Sequence, residues 1–184
     1  QCLSEQRQMV VDDHSIALSE TGKPYWVDQP SFHFNHSHSQ NYYALATSER
    51  MQDLGVDVEE LNRKVRFEAL AKHAFHVEEL RVWQQYDQDK AYWFKVWTTK
   101  EAVLKASGLG IRLNLNELNT QAHPTHNGGM CSHPLIGSFA YQNFELGNGI
   151  LNVAWRAEQS CRGYALTQIE LVRNLHTAIK KPLD

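Results

Sequence analysis

The acidic residues of one alternating segment could hold a divalent cation. Residues 54–59 read Leu-Gly-Val-Asp-Val-Glu, which predicts a β-strand with apolar residues on one face and Asp57 and Glu59 on the other. At about 3.3 Å of rise per residue, the two carboxylates lie about 7 Å apart. Such neighbours repel unless a cation lies between them, and Mg2+ prefers carboxylate oxygens together with water and phosphate oxygens. Taken alone, the strand is as easily explained by two solvated acids at a half-exposed sheet face.

A second group of candidate residues lies on a predicted helix. Residues 89–107 contain no Gly or Pro, and within them Glu101 and Lys105 are one turn apart, about 6 Å along the helix axis. One interpretation is an ordinary salt bridge on a helix surface. The other is that Glu101 supplies a third metal carboxylate, while Lys100 and Lys105 bind phosphate as compact point charges.

The elements that must position these residues follow an order of strands, then helices, then strands. Strands are predicted at 31–35, 42–47, 54–59, 135–144, 150–156 and 163–169, helices at 66–74, 77–86 and 89–107, and a loop-rich segment at 108–133. Asp89 is suited to the N-cap of the long helix and Gly108 to its end. This order favours an α+β fold with mainly antiparallel sheets.

Composition excludes several classes of protein. The net charge of -3 lacks the basic excess of a nucleic-acid-binding protein, and no apolar run is long enough to span a membrane. The five Trp, seven Tyr and seven Phe argue against a disordered chain. Cys2, Cys131 and Cys161 are too few and too scattered for a disulfide framework, which indicates reduced thiols in an intracellular protein.

Two further clusters each allow two interpretations. Residues 123–133 hold three histidines and one cysteine, which suggests zinc ligands, but the spacing fits no standard zinc site and a mobile loop is the alternative. Basic residues are concentrated at Arg63, Lys64, Arg66 and Lys72. They form either a solvated helix surface or a docking patch for an acidic protein partner.

Four short motifs occur in a fixed order. They read Gly-Lys-Pro at 22–24, Phe-Asn-His-Ser-His-Ser at 34–39, Gly-Val-Asp-Val-Glu at 55–59, and Trp-Thr-Thr-Lys-Glu-Ala-Val-Leu-Lys at 97–105. Together they resemble the 4′-phosphopantetheinyl transferase superfamily, in its two-lobed type that activates surfactin synthetase. The resemblance is close over residues 20–113 and extends to the later strands only by general shape. His36 departs from it, because the family usually has an apolar residue there.

The resemblance implies a holo-acyl-carrier-protein synthase activity. Such an enzyme transfers the 4′-phosphopantetheine arm of coenzyme A to a serine hydroxyl of an apo acyl or peptidyl carrier protein and releases adenosine 3′,5′-bisphosphate. Mg2+ is the implied cofactor, coenzyme A the co-substrate and the cytoplasm the location, with neither nucleic acid nor membrane as a partner. The carrier protein that is served and the choice between monomer and homodimer stay open.

The implied fold has two similar α+β lobes related by a pseudo-twofold axis, each with a long helix, and coenzyme A in the cleft between them. Residues 1–52 correspond to the first lobe and residues 53–184 to the second. Only 21 residues precede the Gly-Lys-Pro motif, fewer than the family usually has. We therefore expect either that the native chain extends upstream of Gln1, or that a second copy completes the short first lobe in a homodimer.

The resemblance also implies roles for individual residues. Asp57, Glu59 and Glu101 are the implied Mg2+ ligands, and Lys100 and Lys105 neutralise the pyrophosphate of the coenzyme. Glu101 is also a candidate base for the attacking serine, directly or through a metal-bound water. This makes Glu101, Lys105 and Lys100 the implied catalytic residues.

The remaining implied residues bind the coenzyme. Lys23 and Pro24 lie beside the adenine, and Ser37 and His38 meet the 3′-phosphate, for which a hydroxyl and an imidazole are good donors. Two other functions stay open. One is a degenerate homologue that binds coenzyme A or a carrier protein without efficient turnover, and the other is a metal-free α+β binding module that matches the motifs by chance.

Overall fold

The computed structural model describes residues 14–157, 159–160, 163–164 and 169–173. Three helices and ten strands are formed there: β1 Ile16–Leu18, β2 Pro24–Trp26, β3 His33–His38, β4 Tyr43–Ser48, β5 Leu54–Glu60, α1 Phe67–Ala74, α2 Val77–Gln85, α3 Lys90–Ser107, β6 Gly128–His133, β7 Gly137–Glu145, β8 Gly149–Arg156, β9 Gln159–Ser160 and β10 Gly163–Tyr164. Two short 3-10 turns, Gly110–Arg112 and Leu115–Glu117, follow α3. The expected α+β class is confirmed.

All described strand pairs are antiparallel. The main sheet has the order β5-β8-β7-β6, while β1-β2, β3-β4 and β9-β10 each form a two-stranded sheet. In the main sheet Asp57 lies opposite Asn152, and Glu59 lies opposite Ile150. The acidic strand β5 is therefore an edge strand of the main sheet, with one side open to the first hairpins.

Most predicted elements are present with shifts of at most three residues at their ends. The exceptions are β1, β2 and β9, which the sequence patterns did not predict, and β6, which forms within the segment expected to be loop-rich. Gly128 and Gly129 have weak strand propensity, and pairing with β7 overrides it. The predicted strand at 163–169 lies largely outside the described residues. Between residues 14 and 53 the structure has no helix, so the long helix expected for a first lobe is not among these residues.

Helix α3 lies at the centre of the molecule. Asp89 caps it by accepting a hydrogen bond from the Tyr92 backbone nitrogen at 2.7 Å, and Gly108 ends it in the left-handed conformation at φ 72°. The helix is buried on nearly all sides rather than along one stripe. One side packs on β5 and β8, and the other packs on α1, α2 and the segment after the helix. A helix in this position has few polar side chains free to reach solvent.

Gly55 allows α3 to approach β5 closely. A Cβ atom at this position would overlap the carbonyl oxygen of Ala102 and the backbone nitrogen of Ala106. The contact is between two backbones, so neither side can move away cheaply. This close approach brings the last two turns of α3 against the strand that bears Asp57 and Glu59.

No helix in the described part of the chain combines the length and the apolar character that crossing a membrane requires.

Candidate functional site

Two side chains of β3 accept hydrogen bonds from backbone N–H groups on the open edge of β5. The backbone nitrogen of Val56 donates to Asn35 Oδ1 at 2.9 Å, and that of Val58 donates to Ser37 Oγ at 3.4 Å. These amides face away from β8 and would otherwise be buried without a partner. Asn35 and Ser37 therefore fasten the first hairpins to the main sheet at the strand that carries the acidic motif.

Lys105 joins this edge from α3. Its Nζ donates to Asp57 Oδ1 at 2.7 Å, to Ser37 Oγ at 3.0 Å and to the Val56 carbonyl at 3.1 Å. Ser37 Oγ in turn donates to Asp57 Oδ1 at 2.9 Å. The Asp57 side chain is nearly buried, and its second oxygen, Oδ2, has no hydrogen-bond partner among the described residues. The carboxylate thus keeps one unused oxygen in a protected position.

Glu59 and Glu101 lie in the same electrostatic environment as Asp57. Glu59 is paired with Arg63. Burial raises the pKa of Glu101 above its usual range, and the negative charges of Asp57 and Glu59 add to this, while Lys105 and Arg63 act in the opposite direction. Glu101 therefore senses the other two carboxylates, and Asp57 and Glu59 are each paired with a cation of the protein.

The donor set fits a hard cation, but it is not gathered into a finished site. No three His, Cys, Asp or Glu side chains within the described ranges are close enough together to hold a metal ion. The implied set of Asp57, Glu59 and Glu101 is thus not preassembled. The unpartnered Asp57 Oδ2 and the repulsion felt by Glu101 are what a carboxylate group built for Mg2+ would show before the ion binds.

A pocket of about 230 Å³ opens beside this network. It is lined by residues of the β1-β2 turn, of β3, of the end of α3 and of the loop after it: Thr21, Gly22, Lys23, Pro24, Asn35, His36, Leu104, Lys105, Gly108 and Gly110. Three of the four sequence motifs therefore meet at one cavity, which also contains the predicted coenzyme-binding residues Lys23, Pro24 and Lys105.

Lys23 connects the β1-β2 turn to the end of α3. Its Nζ donates to the Ala106 carbonyl at 3.1 Å, where the helix dipole is negative. Burial lowers the pKa of Lys23, an effect that Asp53 counteracts and Arg156 reinforces. The ammonium is thus held at the pocket in a partly desolvated state, where its attraction to an anion is stronger than in water.

Successive side chains of β3 point to opposite faces. Ser37 and His38, which were expected to bind the 3′-phosphate together, therefore lie on different sides of the strand. Ser37 is buried on the side of β5, whereas His36 and His38 are exposed on the opposite face. The His36 ring stacks on Tyr43 with 6.1 Å between the ring centroids. Burial lowers the pKa of His36, and the charges of Lys105 and His38 lower it further. His36, which the family pattern did not single out, therefore lines the pocket, while His38 lies on the same strand face.

Lys100 is not brought to this site, which corrects the expectation that it binds pyrophosphate. Its side chain is 0% exposed and pairs with Glu79 Oε2 at 2.8 Å, and its Nζ also donates to the carbonyls of Leu115 and Leu118. Burial lowers the pKa of Lys100, and Glu79 partly offsets this. The reason is geometric: five helical residues turn the chain by about 500°, so Lys100 and Lys105 point about 140° apart.

The histidine-rich segment is held by Lys95. The Lys95 ammonium donates to the carbonyls of His123, Pro124 and His126 at 3.4, 3.0 and 3.1 Å, and the two histidine rings stack on each other. One buried lysine of α3 thus fixes the backbone of this loop. Sequence reasoning missed this lysine, because nothing local distinguishes it from a surface residue.

Comparison with known proteins relates the chain to one family. Residues 53–167 match the sequence model of the 4'-phosphopantetheinyl transferase superfamily. The 4'-phosphopantetheinyl transferase Sfp of Bacillus subtilis is 31% identical over 123 residues, which are 66% of this chain and 53% of that protein. The transferase psf-1 of Bacillus pumilus is 34% identical over 102 residues, 54% of this chain and 42% of its own length. HetI of Nostoc is 37% identical over 109 residues, 56% of this chain and 45% of its own length.

The chain therefore belongs to the 4'-phosphopantetheinyl transferase superfamily. It spans about half the length of the curated relatives that it matches.

Proposed function

We propose that this protein transfers the 4′-phosphopantetheine arm of coenzyme A to a serine hydroxyl of an apo carrier protein, in a Mg2+-dependent reaction that releases adenosine 3′,5′-bisphosphate. The observation that carries the proposal is the convergence of the Gly-Lys-Pro turn, β3 and Lys105 on one pocket beside the Asp57 carboxylate. Membership of the family supports the transfer reaction. The pocket supports it further, because it places positively charged side chains next to acidic ones.

The pocket residues supply the chemistry that a coenzyme needs. Lys23 and Lys105 give positive charge for phosphate groups, and Pro24 gives an apolar contact for the adenine. His38 extends the strand face that begins at His36 and is accessible to the 3′-phosphate. Positioning and charge neutralisation are the main tasks in phosphoryl transfer, because the protein takes little part in covalent chemistry.

Asp57, Glu59 and Glu101 would hold Mg2+, with the unpartnered Asp57 Oδ2 as the first available ligand atom. When bound, the ion supplies charge stabilisation at the pyrophosphate oxygens. Lys105 lines the pocket and would contribute positive charge toward the pyrophosphate. Glu101 is the candidate base, directly or through a metal-bound water, and a bound cation would lower its pKa and make it a weaker proton acceptor.

We further propose that residues 1–52 and 53–184 are the two lobes of the family fold, related by a pseudo-twofold axis, with coenzyme A between them. The small sheets β1-β2 and β3-β4 precede the point where the family match begins, and the helices and the main sheet follow it. The proposal is supported by the lining of the pocket, which comes from the β1-β2 turn and β3 in the first part and from the end of α3 and the loop after it in the second.

An acidic carrier protein is the proposed partner, in the cytoplasm. Arg63, Lys64, Arg66 and Lys72 are all exposed, and a groove of about 760 Å³ lies along α1. Phe67 and Trp83 give the groove an apolar surface, and Lys90 adds charge at its edge. Complementary charge of this kind accelerates encounter and selects an acidic partner.

The test is incubation of the protein with coenzyme A, Mg2+ and several apo carrier proteins, followed by intact-mass measurement of the carriers. Asp57→Asn and Glu101→Gln should each reduce transfer by roughly 100-fold or more, because metal ligands stabilise charge in the transition state. Glu78→Gln, which changes an exposed acid on α2 outside both the pocket and the groove, is the matched control and should leave the rate unchanged. EDTA should abolish transfer, and added Mg2+ should restore it.

Two outcomes would contradict the proposal. Binding of coenzyme A without a mass increase on any carrier would identify the degenerate homologue instead. Failure to bind coenzyme A in the presence of Mg2+ would indicate a binding module of another kind.

A further inference from the structure

We propose that Ser37 is a positioning residue that holds Asp57 and Lys105 in register, and that it does not bind the 3′-phosphate of the coenzyme. The proposal rests on the proposed function, because it concerns two residues of that site. It assigns to the serine of the Phe-Asn-His-Ser-His-Ser motif a role on the inner side of the strand.

The hydrogen-bonding capacity of Ser37 is fully used inside the protein. A hydroxyl has one donor and two acceptor positions. Ser37 Oγ donates to Asp57 Oδ1 at 2.9 Å and accepts from Lys105 Nζ at 3.0 Å and from the Val58 backbone nitrogen at 3.4 Å. Its only proton is therefore committed to a carboxylate, and none is left for a phosphate oxygen.

The direction of the side chain leads to the same conclusion. Ser37 is 7% exposed and lies between two elements, whereas its neighbours His36 and His38 are on the solvent-facing side of β3. Successive side chains of a strand point to opposite faces. A ligand that contacts the exposed face at His38 therefore meets that residue and not the Ser37 hydroxyl.

The residues that Ser37 contacts come from three elements. Asp57 is on β5, Lys105 is on α3, and Ser37 joins both from β3. Lys105 Nζ has three protein acceptors, and the Ser37 oxygen is the one that comes from the first hairpins. Without it, the ammonium and the carboxylate keep each other but lose the contact that fixes their orientation relative to the pocket.

The first experiment needs no ligand. The rate at which an amine-specific acetylating reagent modifies Lys105 is measured by peptide mass spectrometry in the wild type and in Ser37→Ala. We expect the rate at Lys105 to rise about fivefold or more, because a hydrogen bond to a charged group is lost. The rate at the exposed Lys64 should stay the same. Ser37→Thr retains the hydroxyl and should retain the wild-type rate.

Controls separate this effect from general loosening of the fold. Ser132→Ala changes an exposed serine on β6, at the far edge of the main sheet, and should not alter the reactivity of Lys105. Ser37→Cys provides a second variant of similar size with a much weaker donor and acceptor, should Ser37→Ala fail to fold. An unchanged rate at Lys105 in both folded variants would overturn the proposal.

The second experiment compares coenzyme A with 3′-dephospho-coenzyme A as substrates. Ser37→Ala should lower kcat with both substrates and leave the ratio of their kcat/KM values within about twofold of wild type. His38→Ala should instead reduce that ratio, because it removes a contact to the 3′-phosphate. A loss of substrate discrimination in Ser37→Ala, equal to that in His38→Ala, would show that the serine binds the phosphate.

The two experiments keep the proposals distinguishable. If the wild type transfers nothing to any carrier, the proposed function fails, while the acetylation rates still decide whether Ser37 positions Lys105. If transfer occurs and the acetylation rate does not change, the positioning role fails and the proposed function stands.

Discussion

Lys100 and Lys105 lie five residues apart on one helix and have different surroundings. Lys105 lines the pocket and binds Asp57 at the edge of β5. Lys100 is buried in an ion pair with Glu79. Glu79 also accepts a hydrogen bond from the backbone nitrogen of Thr120 at 2.8 Å. A buried ion pair of this kind fixes the segment after α3 against α2 without contributing much net stability. The positive charge of Lys100 is neutralised internally, so it does not add to the field at the pocket.

We predict that Lys100→Met destabilises the protein by about 3–5 kcal/mol, because the charge of Glu79 would be left buried without its partner. The double variant Lys100→Met/Glu79→Gln should recover part of this loss, since it removes both charges. Urea unfolding measures the stability, and titration with coenzyme A measures the affinity. The double variant should bind coenzyme A as the wild type does. A stable double variant with tenfold weaker binding would return Lys100 to the coenzyme site.

The buried thiol of Cys131 should make the stability of the protein depend on pH. Its thiol is buried on β6, and burial raises its pKa to about 12. The unfolded thiol ionises near pH 8.5. A group whose folded pKa is raised contributes stability that is fully present below the unfolded pKa and is lost as the pH rises through the folded value. The free energy of unfolding should therefore decline from about pH 8.5 upward.

Cys131→Ala should flatten this alkaline decline. Thiol labelling of the native protein at pH 9, followed peptide by peptide, should leave Cys131 unmodified until urea is added. Rapid labelling of Cys131 in the folded state would contradict its placement in the core.

At the scale of elements, the approach of α3 to β5 decides the geometry of the site. Asp57 and Lys105 meet because Gly55 lets the helix backbone lie directly on the strand. Asn35 and Ser37 then close the open edge of the same strand from the other side. The acidic strand is thus fixed by a helix and a hairpin together, and a change in either contact would move its carboxylates.

We predict that Gly55→Ala destabilises the protein by about 3 kcal/mol or more, since the added methyl group overlaps backbone atoms that cannot rotate away. Transfer activity should fall as well, because β5 carries the proposed metal ligands. Gly147→Ala is the matched control: its φ is 78°, but a Cβ atom there meets nothing within 4 Å, so only the backbone cost of about 1 kcal/mol is expected. Chemical denaturation measures both. Equal losses in the two variants would show that the helix is not in close contact with the strand.

For the whole molecule, the pocket joins parts of the chain that are far apart in sequence. The β1-β2 turn, β3 and the end of α3 share its lining, and the hydrogen bond from Lys23 to the Ala106 carbonyl also links the turn to the helix. A ligand in this pocket would therefore hold the first hairpins against the second part of the chain. Its effect should be visible in the stability of the protein, not only in its activity.

We predict that coenzyme A with Mg2+ raises the melting temperature in proportion to the logarithm of its concentration above Kd, as mass action requires. Hydrogen exchange should slow both at residues 21–24 and at residues 104–110, because both segments line the pocket. Differential scanning fluorimetry and exchange mass spectrometry measure the two effects. Protection confined to one of these segments would contradict a binding site shared between them.

The sequence predicted which residues line the pocket better than it predicted the contacts between them. The pocket-lining residues Lys23, Pro24 and Lys105 were identified from motifs, and the pocket brings them together. The motif could not show that Lys100 lies away from the pocket, paired with Glu79, because a motif states which residues follow one another and not which way a buried helix faces. The contribution of Asn35 was missed, although its position two residues before Ser37 on a strand could have indicated that both face the same side.

By itself, the sequence determined the α+β class, the limits of α3 and the alternation of β5, because caps, helical spacing and strand period are local properties. It could not determine β6, whose two glycines form a strand only because β7 pairs with them. Nor could it determine that Lys105 binds Asp57, 48 residues away, instead of Glu101 one turn before it. Only the tertiary structure decided this, since the close approach of α3 to β5 at Gly55 brings the Asp57 carboxylate within 2.7 Å of the Lys105 ammonium.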